Sequence, residues 1–322
     1  MAIVNSSYSL KKSKILSGIL CLTLVMACQS KPKSENSEKP LPPVPPTAPR
    51  ATEETSPPAH EEAQPPAQIP MGTVPKVALI LGPGALRAYA HVGVVQEFAK
   101  QKLPIQAIAG IEMGALVAAI YANKAQPYDV EWQMMKLKES DLLQKGLLSG
   151  QIQAGDVKAL NEFINISLSS NRAENAKVPF ACPALQIEKQ QVYVMNRGAY
   201  SEMLPYCLAF PPLFKPHQQN VAAVLSLKAL VDAVRAKGAT YVIYVDLLAS
   251  PLKISGAGTE TQILWSLAAE NLSHKEKGVD YVIHVPLKDY DLLDFKKRRE
   301  MIQKGQQAAQ EASAQMMRAL NW

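Results

Sequence analysis

The sequence predicts an α/β domain with a mainly parallel central sheet over residues 76–322, behind a leader (residues 1–27) and a proline-rich tether (residues 28–75). Three observations carry this reading. From Lys76 onward, short apolar runs alternate with amphipathic stretches, the order of parallel strands joined by right-handed helical crossovers. That length suits one domain with a sizeable core. The stretch Ile108-Ala109-Gly110-Ile111-Glu112-Met113-Gly114-Ala115 also reads as the end of a buried strand, a sharp turn flanked by glycines, and the start of a packed helix.

The leader has Lys11, Lys12 and Lys14 before an apolar core, Ile15 to Ala27, which is too short to span a bilayer and has the layout of a secretory signal. It ends Val25-Met26-Ala27-Cys28, similar to a bacterial lipobox, in which cleavage precedes a cysteine that is then acylated. A plain cleavage site followed by an ordinary cysteine is the competing reading. Each buried methylene of an acyl chain contributes about 0.8 kcal/mol, so a multiply acylated Cys28 would hold firmly to a bilayer. Gln29 in place of aspartate favours, by resemblance to Gram-negative sorting, the outer membrane facing the periplasm. Removing residues 1–27 takes away three lysines and no acids, so the formal charge falls from +6 to +3. No clustered basic face remains to argue for nucleic acid.

Gln29 to Pro75 holds thirteen of the 24 prolines and almost no large apolar residues. It cannot bury enough surface to offset its ordering entropy, and reads as a partly polyproline II spacer. At about 3.1 Å per residue its reach is on the order of 140 Å. The competing reading is a ligand for a proline-recognising domain.

Within the domain, Val77 to Leu81 reads as the first strand and Ala88 to Lys102 as the first helix; Ile105 to Ala109 and Ala115 to Ala122 follow as strand and helix. Tyr128 to Leu143 and Asp156 to Ile166 read as helices, with Asp156 as an N-cap. Val178 to Ile187 and Gln191 to Met195 read as a strand pair turning at Glu188-Lys189-Gln190. Ser226 to Lys237 is a helix closed by Gly238, Tyr241 to Val245 a strand ending at Asp246, and Gln262 to His274 a helix. Tyr281 to Val285 is the last strand, and Phe295 to Leu320 a long helix capped by Asp294. Of the cysteines, Cys21 leaves with the leader and Cys28 is the acylation site, so Cys182 and Cys207 are the two left to pair; their number alone does not show that they do. No zinc-type cluster can form from them, the five histidines are scattered, and no metal site is expected.

A strand, a glycine-flanked turn and a helix form the geometry of the G-x-S-x-G nucleophile elbow. Here Glu112 stands where a hydrolase needs serine, between Gly110 and Gly114. The runs KVALILGPGALRAYAHVGVV (76–95) and LPIQAIAGIEMGALVAAIYA (103–122) resemble the opening of the patatin-like phospholipases, especially their bacterial branch. The similarity continues through VPFACPALQIEKQQVYVMNRG (178–198), LAFPPLFKP (208–216), VDAVRAKGATYVIYVDL (231–247) and LLDFKKRREMIQKGQQAA (292–309). The resemblance implies a three-layer α/β/α hydrolase fold, a Ser-Asp dyad acting on lipid acyl esters, and no cofactor.

The departures fall on the chemistry. The family's acid lies in a D-G-G or D-G-A motif that maps near Ala222, and the chain contains no Asp-Gly pair. Its glycine-rich oxyanion loop reads Gly82-Pro83-Gly84-Ala85, followed by Arg87 at the family's basic position. Acyl-ester hydrolysis needs an activated nucleophile, a base and donors aimed at the developing oxyanion. At a helix N-terminus, which favours a carboxylate by about 0.3–1 kcal/mol, Glu112 is expected to be ionised and to turn back onto the loop's donors. Pro83 has no N–H to offer there. Arg87 is expected either to pair with Glu112 across the pocket or only to hold the loop.

Other candidates carry two readings each. Glu112 as a carboxylate nucleophile needs a nearby base, and the resemblance assigns His91 to packing. Asp232 and Asp246 read as caps or loop contacts before they read as catalytic acids. Met113, Met134 and Met135 suit either an acyl groove or the core. The run Lys296-Lys297-Arg298-Arg299 suits lipid headgroups or a solvated helix face. Together these observations lead to an envelope-anchored lipoprotein with a catalytically degenerate patatin-like domain that binds a lipid or fatty-acyl ligand or an envelope protein. An active lipid acyl hydrolase with non-standard residues is the alternative.

Overall fold

The computed structural model describes residues 75–146, 151–168, 172–273 and 278–320. The leader, Cys28 and all of the tether but Pro75 lie outside the described residues. No described helix is long and apolar enough to cross a membrane.

The strands are β1 (Val77–Leu81), β2 (Ile105–Gly110), β3 (Gln144–Lys145), β4 (Ile152–Gln153), β5 (Phe180–Gln186), β6 (Gln191–Met195), β7 (Asn220–Ala222), β8 (Tyr241–Asp246) and β9 (Tyr281–His284). The helices are α1 (Tyr89–Lys100), α2 (Met113–Lys124), α3 (Pro127–Lys136), α4 (Glu139–Leu142), α5 (Asn161–Leu168), α6 (Tyr200–Leu208), α7 (Leu227–Ala236), α8 (Thr259–Ser273) and α9 (Arg298–Leu320). Seven strands form one sheet in the order β6-β5-β2-β1-β8-β9, with β7 pairing β5. The pairs β1–β2, β1–β8, β2–β5 and β8–β9 are parallel, while β6 and β7 run antiparallel to β5. Every residue of β1 and β8 is buried, because helices cover both faces of the sheet centre. The fold is thus the α/β/α arrangement with a mainly parallel sheet.

The elements differ from expectation where tertiary contacts outweigh pattern. The expected helix Tyr128–Leu143 is two, α3 and α4, because Leu137 turns to an extended conformation and buries its side chain. Lys138 N–H then donates to Asp141 Oδ2 (3.0 Å), which starts α4. Asp156 caps as expected, accepting from Lys158 N–H at 2.9 Å, but the first turn is 3-10 before α5 begins. The helix α6 contains Pro205, which sequence rules place outside helix interiors. The two cysteines do pair: a disulfide joins Cys182 on β5 to Cys207 on α6. Closing a loop of this length is worth about 3 kcal/mol through the unfolded chain.

The helices α1 and α9 approach through glycine. A methyl group at Gly93 would overlap the Ile302 carbonyl, and one at Gly305 the Ala90 carbonyl. We expect Gly305→Ala to cost about 1–3 kcal/mol, the range for overpacking a filled core, seen as a lowered urea midpoint at unchanged slope. An unchanged midpoint would show that the helices separate freely.

Candidate active site

The turn after β2 places Glu112 at the mouth of α2. Its backbone lies at φ 55° and ψ −130°, a region that costs an L-residue about 1–3 kcal/mol and persists only where the surroundings impose it. The glycines on either side do so. A Cβ on Gly114 would lie 2.5 Å from the Leu81 carbonyl oxygen and 2.6 Å from that of Gly82, and one on Gly110 would overlap Gly114. The chain therefore passes β1 at a distance that admits no side chain, and Ile111 N–H donates to Leu81 O at 2.9 Å.

This close passage brings Glu112 under the loop after β1. Its Oε2 accepts from Gly84 N–H (3.2 Å) and Ala85 N–H (2.9 Å), while Oε1 has no hydrogen-bond partner among the described residues. Ala85 holds φ 46°, a left-handed conformation of the kind glycine favours. The carboxyl is fully buried, and four surface pockets of about 170 to 330 Å³ are all lined by other residues.

The expectation of a fixed carboxylate gives way to burial. Desolvation raises the Glu112 pKa to about 7, against the lowering effect of backbone donors at Met113, Gly84 and Ala85. One pKa unit is about 1.4 kcal/mol, so burial outweighs a helix-terminus effect of at most about 1 kcal/mol.

The expected Arg87–Glu112 ion pair does not form. Arg87 is fully buried and spends its guanidinium on carbonyls: Tyr290 O (2.7 Å from Nη2, 3.1 Å from Nε), Leu247 O (3.1 Å) and Pro251 O (3.2 Å). Burial lowers its pKa to about 10, offset in part by Asp291 and Asp246. It ties the loop after β1 to those following β8 and β9, so the reading in which it holds the loop is the one the geometry supports.

His91 packs, but against the site itself. Its Nε2 lies 2.8 Å from Gly82 O and Nδ1 is unpartnered, while burial lowers its pKa to about 4 despite the Gly82 hydrogen bond and the Asp246 charge. Its Nε2–H therefore props the loop, and a neutral imidazole is the stable form. Tyr244, whose hydroxyl also has no partner, lies against Gly82 on the other side. Ala222, at the mapped acid position, ends β7, buried and paired with Ala184 of β5.

Asp246 does more than cap. Its Oδ1 accepts from Leu248 N–H (2.8 Å) and its Oδ2 lies 3.0 Å from His284 Nδ1, an Asp-His pair at the carboxyl ends of adjacent strands that sequence separation hid. Asp232 is exposed and paired with Lys228 along α7. Met113 and Met134 lie in the core, with Met135 packed against it. The basic run is not a uniformly solvated face: Arg298 stacks 3.8 Å from the Phe295 ring centre and donates to Leu137 O, and Lys297 sits over Tyr290.

Glu112 binds its proton more tightly folded than unfolded, so its contribution to stability is complete below the unfolded value near 4.5 and fades as pH rises through about 7. Relative to wild type, Glu112→Gln should therefore gain about 2–3 kcal/mol between about pH 5 and pH 8, levelling off above pH 7. Chemical denaturation of both proteins across that range measures it. A constant difference would mean that Glu112 titrates normally.

Residues 79–246, just over half of the chain, match the family of patatin-like phospholipases, which supports a lipid-related function. An uncharacterized NTE family protein of Mycobacterium tuberculosis is 26% identical over 147 residues, covering 45% of this chain and 40% of that protein. The chain thus spans well under half the length of the mycobacterial relatives it matches. Lysophospholipase NTE1 of Mycosarcoma maydis is 36% identical over 50 residues, 16% of this chain and 3% of that protein. Among solved structures, VipD from Legionella pneumophila superposes with a TM-score of 0.44 at 10% identity, over 80% of this chain and 70% of that one. The chain belongs to the patatin-like phospholipase family.

Proposed function

We propose that this protein is a patatin-like domain that no longer hydrolyses acyl esters and instead binds a lipid or fatty-acyl ligand, or an envelope protein partner. One observation carries the reading: the Glu112 carboxyl occupies the Gly84 and Ala85 N–H groups. Those donors would have to receive an oxyanion during ester cleavage, and preorganised donors of this kind supply much of the rate enhancement in acyl transfer. Neither member of the family's dyad stands at its expected position, with Glu112 at the tip and alanine at the mapped acid position. The family match and the lysophospholipase relative keep lipid as the ligand class. The Cys182–Cys207 disulfide suits an oxidising compartment, in keeping with a lipid-anchored protein of the bacterial envelope at the outer membrane facing the periplasm.

The purified protein should show no turnover of fluorogenic phospholipid or short-chain ester above the protein-free background. Wild-type turnover abolished by Glu112→Ala would overturn the proposal in favour of an active hydrolase with a carboxylate at its centre, and turnover surviving Glu112→Ala would point to another nucleophile. Co-purified lipid identified by mass spectrometry supports the binding role. The anchor is tested separately: Cys28→Ala should move the protein from the membrane to the soluble envelope fraction, and retention in the membrane would refute lipid anchoring.

A further inference from the structure

We infer that a surface pocket away from the elbow is a binding site for a small amphiphilic anion. It has a volume of about 260 Å³ and lies between β2, the start of β5 and the last turns of α7. It opens to the surface, and small side chains leave it unfilled. Ala107 of β2, Ala181 of β5 and Ala233 of α7 all line the space, and Ile108, Phe180 and Val234 form walls around them. Larger side chains at those three positions would fill it.

The mouth is cationic. Arg197, after β6, and Lys237, at the end of α7, both line the pocket although far apart in sequence. Neither side chain has a hydrogen-bond or ion-pair partner among the described residues, and both are exposed. Glu174, the acid at the rim, is already satisfied by Arg172 Nε (2.7 Å) and Gly198 N–H (2.8 Å). Its charge is thus matched by Arg172, which leaves the two unpaired cations to set the sign of the entrance.

An apolar floor under two free cations fits a ligand with a compact hydrocarbon body and one anionic head. At roughly 30 Å³ per water-sized group, the space takes about eight or nine non-hydrogen atoms, enough for the eight-carbon tail of a medium-chain carboxylate or alkyl phosphate whose head group stays at the mouth. Glu112 does not line this pocket, so the inference stands apart from the reading of the elbow.

Calorimetric titration of the purified protein with octanoate, octyl phosphate, octanol and octylammonium tests it. Saturable binding is expected for at least one anion, with octanol and octylammonium at least tenfold weaker; the tighter anion identifies the head group. Arg197→Ala with Lys237→Ala should weaken binding at least tenfold without moving the melting temperature. Ala233→Leu should abolish it by filling the floor, and if that variant is unstable the surface pair decides alone. Three results would overturn the inference: no saturable anion binding up to about 1 mM, equal binding of octanol and octanoate, or affinity unchanged in the surface double variant. Binding lost in Glu112→Leu but kept in the surface double variant would place the ligand at the elbow instead.

Discussion

The passage of the β2–α2 turn across the end of β1 is a contact between two backbones, with Gly114 pressed against the carbonyls of Leu81 and Gly82. Everything at the carboxyl edge of the sheet is built on it. Because no side chain intervenes, the residue at the tip of the turn is thrust under the loop Gly82 to Ala85, where the Gly84 and Ala85 N–H groups point at whatever that residue carries. The loop in turn is held from below by His91 on the Gly82 carbonyl, and from beside by Arg87, which reaches across to the carbonyls of Leu247, Pro251 and Tyr290. A buried guanidinium that gives four of its five N–H donors to carbonyls is costly to desolvate but rigid once formed, since its planar fork fixes their directions.

With such a frame, the chemistry depends on what fills the donor cradle. A serine hydroxyl at the tip leaves room for the oxygen of a substrate carbonyl, whereas the longer Glu112 side chain supplies the oxygen itself. Its burial makes the neutral form accessible near pH 7, and a neutral carboxyl neither attacks an ester nor repels an anion. The strain of a non-glycine residue at φ 55° is retained even so, which shows that the turn is imposed by the packing of β1, β2 and α2 and not by the residue at the tip. The same frame positions Asp246 and His284 at neighbouring strand ends, where they form a pair open to solvent through the imidazole.

Much of this was legible in the residues. The apolar runs at Val77–Leu81 and Tyr241–Val245 mark central parallel strands because such strands are buried on both faces and need no alternation. Gly110 and Gly114 around Glu112 mark a turn where only glycine fits, and this locates the site before any coordinate is known. Where reading failed, the missing information was long-range. Leu137 breaks a helical pattern to reach the core, and Pro205 stays inside a helix whose other contacts outweigh one lost hydrogen bond.

The sequence by itself determined the family, the alternation of the central parallel strands with their helices, and the identity of the residue at the elbow, since these depend on local pattern and on residue type. Only the tertiary structure decided what Glu112 and Arg87 touch, that Cys182 meets Cys207, that Asp246 meets His284, and that three alanines open a pocket beneath Arg197 and Lys237. Partner choice and protonation depend on distance and burial. Opposite charges suggested that Arg87 would seek Glu112, but the carbonyls of the loops after β8 and β9 lay within its reach and backbone amides had already taken the carboxyl.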